Sequence, residues 1–103
     1  MAGDVLTPLA KADIFEIWSF IAAHSEGAAD SVEQAIYDAC AFVAKAPMRG
    51  HSRSNTTSRL LRFWTLTRYP HYTIVYRPDT EPLQVIAVLH GKRNIQRALR
   101  TRT

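Results

Sequence analysis

Side chains able to do chemistry are sparse in this 103-residue chain, and most of them stand alone. His24, His51, His71 and His90 have no spacing that would gather them around one ion, and Cys40 has no CxxC companion. A structural zinc takes four closed ligands, so neither a metal nor another cofactor is expected. Cys40 falls inside a helical pattern beside its apolar stripe, which reads as a small buried hydrophobe rather than a thiolate nucleophile. There is no GxSxG elbow and no glycine-rich phosphate loop. Carboxylates paired for acid–base work are missing too: Asp79 and Glu81 share a turn, and the other acids belong to helix surfaces. What remains is cationic. Arg59, Arg62, Arg68 and Arg77 fall in predicted strands, and Lys92 and Arg93 follow the last strand. By parity, Arg62, Trp64, Leu66 and Arg68 share one side of a strand. Arginine beside exposed tryptophan serves a phosphate-and-base surface or a protein interface equally well. The competing reading turns Trp64 and Leu66 toward the helices, with the arginines merely flanking the core; composition leaves both open. His90-Gly91-Lys92-Arg93 likewise places polar groups at a sheet rim, either as a site or as a solvated strand end.

The elements that must position these groups are divided by charge. Residues 1–48 carry seven acids and two bases, and residues 49–103 carry eleven bases and two acids, a net of −5 followed by +9. The first block has helical periodicity and the second has strand periodicity, so an acidic helical layer and a basic sheet are expected. The length predicts one domain over residues 1–103, and 47% hydrophobic residues suffice for one core. No apolar run approaches the roughly 20 residues of a membrane span. Met-Ala-Gly-Asp has none of the features of a signal peptide, and a single cysteine forms no internal disulfide, which points to the cytoplasm.

Residues 5–7 are predicted to form a short strand. Thr7-Pro8 then reads as the cap and first residue of a helix, with Ala10, Ile14, Ile17, Trp18 and Ile21 on its apolar stripe and an end near residues 24–27. A second helix over residues 28–46 carries Val32, Ala35, Ile36, Ala39 and Val43, and stops at Pro47. The polar stretch over residues 49–58 is the longest loop. Three strands follow, at residues 60–67, 72–77 and 83–90, the last being the most apolar and therefore central or well covered. A short basic helix over residues 94–100 closes the chain. The order predicts an α+β sandwich, a two-helix hairpin on one face of a small antiparallel sheet.

Several of these segments match a known family. Residues 6–21, from Leu6-Thr7-Pro8 through Ile17-Trp18 to Ile21, resemble the opening of the ParE-type toxins of the RelE/ParE superfamily, a group that includes plasmid-stabilisation proteins. Ala46-Pro47-Met48-Arg49-Gly50 resembles their helix-ending element, Tyr72-Thr73-Ile74-Val75-Tyr76-Arg77 their Tyr-x-Ile-x-Tyr-Arg strand, and the run from Val85 to Arg93 their final strand with its His-Gly-x-Arg ending. The resemblance covers residues 5–99, in order and at family spacing, and implies the same helical hairpin over a sheet.

It also implies the toxin of a type II toxin–antitoxin pair, neutralised by a small ParD-like antitoxin whose docking residues the sequence does not identify. RelE-like members cut mRNA on the ribosome, whereas ParE-like members inhibit DNA gyrase. Metal-free RNA cleavage needs a positioner for the 2′-hydroxyl, cations for the phosphorane and a proton donor for the leaving oxygen. The positions where RelE-like toxins keep these groups carry Trp64, Leu66, Thr73 and Leu99 here, and of that set only Arg93 is retained. His90 stands as one possible substitute. The resemblance therefore implies a gyrase-binding toxin with no catalytic residues, whose target-facing groups lie among Arg62, Arg68, Arg77, His90, Lys92 and Arg93. The alternatives are a ribosome-dependent endoribonuclease using Arg93 and His90, and a non-toxic nucleic-acid-binding module.

Overall fold

The computed structural model describes residues 3–52 and 60–91. Strand β1 (Asp4–Leu6) leads directly into helix α1 (Pro8–Ala22), and helix α2 (Glu26–Lys45) returns antiparallel to it. A 3₁₀ turn (Pro47–Arg49) precedes β2 (Arg62–Thr65), β3 (Tyr72–Arg77) and β4 (Leu83–His90). Among the described residues, no helix is long and apolar enough to cross a membrane.

Local chemistry fixes the helix ends. The Thr7 hydroxyl accepts from the Ala10 N–H at 3.2 Å, and Pro8 occupies a position where no amide is needed. The Ser25 hydroxyl accepts from the Ala28 N–H at 3.1 Å, so α2 begins at Glu26, two residues before the expected start. Gly27 reads as a break in the sequence, yet a capped first turn tolerates it. The Trp18 indole N–H donates to the Asp30 carboxylate at 2.9 Å and ties α1 to α2.

The strand order is β1-β4-β3-β2. The last three strands form the expected antiparallel meander, with β4 central. β1 differs: it pairs with β4 in parallel, Asp4 opposite Leu83 and Leu6 opposite Val85, so the sheet is mixed. A parallel pair requires a long crossover, and here everything from α1 to β3 supplies it. β2 is shorter than the predicted strand over residues 60–67, although the Leu66 N–H still donates to the Tyr72 carbonyl at 3.0 Å. The predicted helix over residues 94–100 lies outside the described residues, as do Arg59, Lys92 and Arg93.

Both faces of the sheet are packed. Ile36, Cys40 and Val43 of α2 and Ala10 and Ile14 of α1 meet Ile74, Tyr76, Val85 and Val88 in the main core. Leu61, Phe63, Val75, Ile86, Ala87 and Leu89 form a second buried cluster on the other side. The alternation read from the sequence for β3 holds, since Tyr72, Ile74 and Tyr76 all face the helices. In β4 it is interrupted. The ladder pairs Tyr76 with Val85 but Val75 with Ala87, which leaves Ile86 as an extra residue. This bulge shifts the later residues by one, so that Val88 faces the helices and His90 lies opposite Tyr72.

Candidate functional site

Of the predicted binding groups, those within the described residues fall at two ends of the sheet. At the end where β3 finishes, Arg62 donates from Nη1 to the Gly50 carbonyl at 2.7 Å and to the Met48 carbonyl at 3.4 Å. There the guanidinium clamps the turn after α2. The Tyr76 hydroxyl acts beside it, donating to the Pro47 carbonyl at 2.6 Å and accepting from the Gly50 N–H at 2.9 Å. Arg77 donates from Nε to the Gln84 side chain across the β3–β4 pair at 2.7 Å. At the opposite end, Arg68 is exposed in the β2–β3 loop, its guanidinium 5.5 Å from the Tyr69 ring centroid. His90 is exposed at the end of β4, its ring 4.9 Å from that of Tyr72 and 6.2 Å from that of His71.

Trp64, Leu66 and Thr73, which the resemblance sets against the catalytic groups of RelE-like toxins, do structural work here. Trp64 packs against the main core, with its ring 5.3 Å from Phe42 of α2. Leu66 is buried in that core, and the Thr73 hydroxyl shares a 3.1 Å hydrogen bond with Thr65. Of the two readings that composition left open, the geometry selects the one in which Trp64 and Leu66 face the helices.

Between α2 and the β2 side of the sheet lies a groove of about 490 Å³. Gln34, Asp38 and Phe42 line one wall, and Trp64, Leu66 and Arg68 line the other. The groove is apolar at its centre and carries an acid and a base at its margins. Phe42 is extended further by Arg49, whose guanidinium sits 3.8 Å over the ring. Sequence reading missed this groove because Phe42 lies off the apolar stripe of α2 and shows no sign of its cross-element partner. Cys40, the lone thiol, is fully buried; burial, with a smaller contribution from the Asp4 carboxylate, pushes its pKa up to about 12. Among the described residues, no three His, Cys, Asp or Glu side chains come together as a metal cluster.

The family model for the ParE toxin of the type II toxin–antitoxin system, parDE, matches residues 5–95. The chain belongs to the ParE toxin family. Among solved structures, the chromosomal ParDE TA system from P. aeruginosa has a chain that superposes with a TM-score of 0.72 at 18% identity, covering 89% of this chain and 98% of that one. At that identity the likeness speaks for the fold. No curated protein sequence gives a significant match. In this ParE-family chain the helical hairpin and the sheet are shared with that structure.

Proposed function

We propose that this ParE-family chain is a cytoplasmic toxin that inhibits DNA gyrase by direct binding, and that a ParD-like antitoxin silences it. The observation that carries the first part is the packing of Trp64 and Leu66. A side chain that fills a core can neither hold charge near a scissile phosphate nor move a proton. The second part draws on the α2–β2 groove, whose Phe42–Trp64 floor suits the apolar side of an antitoxin helix or extended segment and whose Asp38 and Arg68 suit its polar margins. Arg68, His90, Lys92 and Arg93 are proposed to face the target. Arg62 and Arg77, engaged at the far end of the sheet, are proposed to contribute there as secondary contacts.

A supercoiling assay with purified gyrase tests the reading. Micromolar toxin abolishes supercoiling, and adding cognate antitoxin restores it; an unaffected reaction at that concentration overturns the proposal. The exposure of His90 favours one rival, a ribosome-dependent endoribonuclease. That rival predicts site-specific mRNA cuts in a translating extract, lost on His90→Ala or Arg93→Ala. A chain with nucleic-acid affinity but no toxicity on induction would instead be a plain binding module.

A further inference from the structure

The helical layer does not cover the sheet evenly. The Thr7 N–H donates to the Val85 carbonyl at 3.0 Å and the Val88 N–H to the Asp13 carboxylate at 2.9 Å, so α1 is held along the free edge of β4. Among the described residues, α2 is the last helix on the side toward β2, and the groove of about 490 Å³ lies beyond it. Ala35 and Ala39 leave its centre open beside Leu66, and Phe42 meets Trp64 at one end. Its α2 wall runs from Ser31 to Phe42. At the helical rise that wall is about 16 Å long, room for about three turns of another helix.

Backbone chemistry separates a helix from a strand as the occupant. Trp64 stands opposite Ile74 in the β2–β3 ladder, and the Leu66 N–H is spent on the Tyr72 carbonyl at 3.0 Å. The amides along α2 are bonded within the helix. The groove therefore offers side chains rather than main-chain groups, and an extended segment laid in it would bury N–H and C=O groups without partners. A helix satisfies its own backbone and presents only side chains.

Charge then fixes what that helix carries. Arg49 stands at the aromatic end, its guanidinium 3.8 Å over the Phe42 ring and donating to the Phe42 carbonyl at 3.0 Å. Arg68 lines the other end, exposed in the loop after β2 and 5.5 Å from the Tyr69 ring centroid. Among the described residues neither guanidinium has an ion pair. Between them on the α2 wall lies Asp38, which accepts from the Gln34 side chain at 2.9 Å and disfavours another carboxylate at mid-groove. We propose that the groove takes an amphipathic antitoxin helix of about three turns, apolar along its centre and acidic at both ends, with one carboxylate for Arg49 and one for Arg68. The inference rests on the antitoxin reading above and deepens it, by stating the conformation and the charge order of the segment that docks.

Full-length toxin and its cognate antitoxin test it. The double variant Arg49→Gln/Arg68→Gln, which keeps hydrogen-bond donors but no charge, is expected to bind the antitoxin about three- to tenfold more weakly at ~0.05 M salt, and the difference closes at ~0.5 M. Arg68→Glu weakens binding further, and exchanging one of the antitoxin's two end acids for lysine restores it. Lys11→Ala, which removes an exposed positive charge from α1, changes affinity less than about twofold. In the complex, the Cα chemical shifts of isotope-labelled antitoxin report a helix of about eleven residues in the segment that touches the Trp64 indole. Wild-type affinity in the double variant at low salt, an equal loss in Lys11→Ala, or extended shifts in that segment would each overturn the charge-ended helix. Phe42→Ala is measured in parallel. A loss on Phe42→Ala without charge or helix dependence sinks this inference and leaves the antitoxin in the groove, whereas affinity indifferent to Phe42→Ala removes the antitoxin from the groove altogether.

Discussion

Tyr76 shows how one hydroxyl can organise an irregular segment. Its ring is fully buried in the main core, and its oxygen satisfies both the Pro47 carbonyl and the Gly50 N–H. Tyr76→Phe leaves both backbone groups unpaired at the cost of about 1–3 kcal/mol for each buried orphan, so an overall loss of about 2 kcal/mol or more is expected in urea unfolding, with an unchanged m-value. Gly50 is fixed by the same contact. A Cβ there would meet the Tyr76 hydroxyl at 2.5 Å and the Phe63 carbonyl at 2.9 Å, and the second is backbone and does not yield. Gly50→Ala is therefore expected to destabilise at least as much as Tyr76→Phe. Burial also raises the Tyr76 pKa, against smaller lowering contributions from the Gly50 hydrogen bond and Arg62. For Cys40, burial raises the value from 9.0 to about 12. In both cases the folded state resists losing the proton that the unfolded chain gives up. This contribution is complete below the unfolded value and is lost as pH rises through the folded one. The urea midpoint should thus fall as pH increases from 9 toward 12, the interval between the two Cys40 values, and Cys40→Ala should flatten the early part of that fall. A midpoint rising over this range would contradict the assignment. In the native protein at neutral pH, Cys40 should react with a disulfide reagent only at the rate of unfolding.

At the scale of elements, α1 does more than cover the sheet. β1 pairs with only three residues of β4, and beyond them α1 takes over the exposed edge. The Thr7 N–H donates to the Val85 carbonyl at 3.0 Å, and the Val88 N–H donates to the Asp13 carboxylate at 2.9 Å. Asp13 is a polar residue on a helix that its pattern alone would send to solvent, yet here it stands in for a missing strand. Asp13→Ala leaves the Val88 amide without its acceptor and should cost about 1–3 kcal/mol, with faster hydrogen exchange at Val88; Asp13→Asn, which keeps an acceptor oxygen, should recover most of the loss. Unchanged exchange at Val88 in the alanine variant would disprove this role. The same comparison marks the limit of sequence reading. The helices, the apolar stripe of α2 and the strands β3 and β4 were legible because periodicity and punctuation are local. The bulge at Ile86 was not, because an isoleucine among Val85, Ala87 and Val88 looks the same whichever face it takes. The parallel pairing of β1 was hidden as well, since a three-residue strand carries no signature of its partner. For the candidate site, residue types were legible and their grouping was not. Arg62 and Arg68 share a parity, but the chain leaves the strand after Thr65, so one is consumed by the Gly50 carbonyl while the other remains exposed.

Taken whole, an acidic helical hairpin lies across the sheet, and the groove runs along the boundary between them. On the proposed reading, this arrangement keeps the antitoxin surface apart from the target surface. A surface for the antitoxin that coincided with the surface for the target would lose both to a single substitution, whereas a groove floored by Phe42 and Trp64 and a rim carrying His90 can vary independently. The two meet at Arg68, which lines the groove and lies in the loop that ends at His71. If the antitoxin occupies the groove, Phe42→Ala removes the ring that packs at a tilt against Trp64 while leaving the buried side of α2 intact. Phe42 is 43% exposed, so stability should change by about 1 kcal/mol or less. Antitoxin affinity should fall by at least about tenfold, as for loss of an aromatic anchor, and inhibition of supercoiling should be retained. Arg68→Ala should weaken both activities, because the same guanidinium lines the groove and charges the rim. Arg62→Ala is the contrasting case: losing the clamp on the Gly50 carbonyl should lower the melting temperature, and supercoiling inhibition should weaken chiefly in proportion to unfolding, with a smaller share from the lost secondary contact. Measured side by side for thermal stability, antitoxin binding and supercoiling inhibition, the three variants should separate along these axes. If Phe42→Ala instead abolished inhibition and spared antitoxin binding, the groove would belong to the target and the assignment of the two surfaces would be reversed.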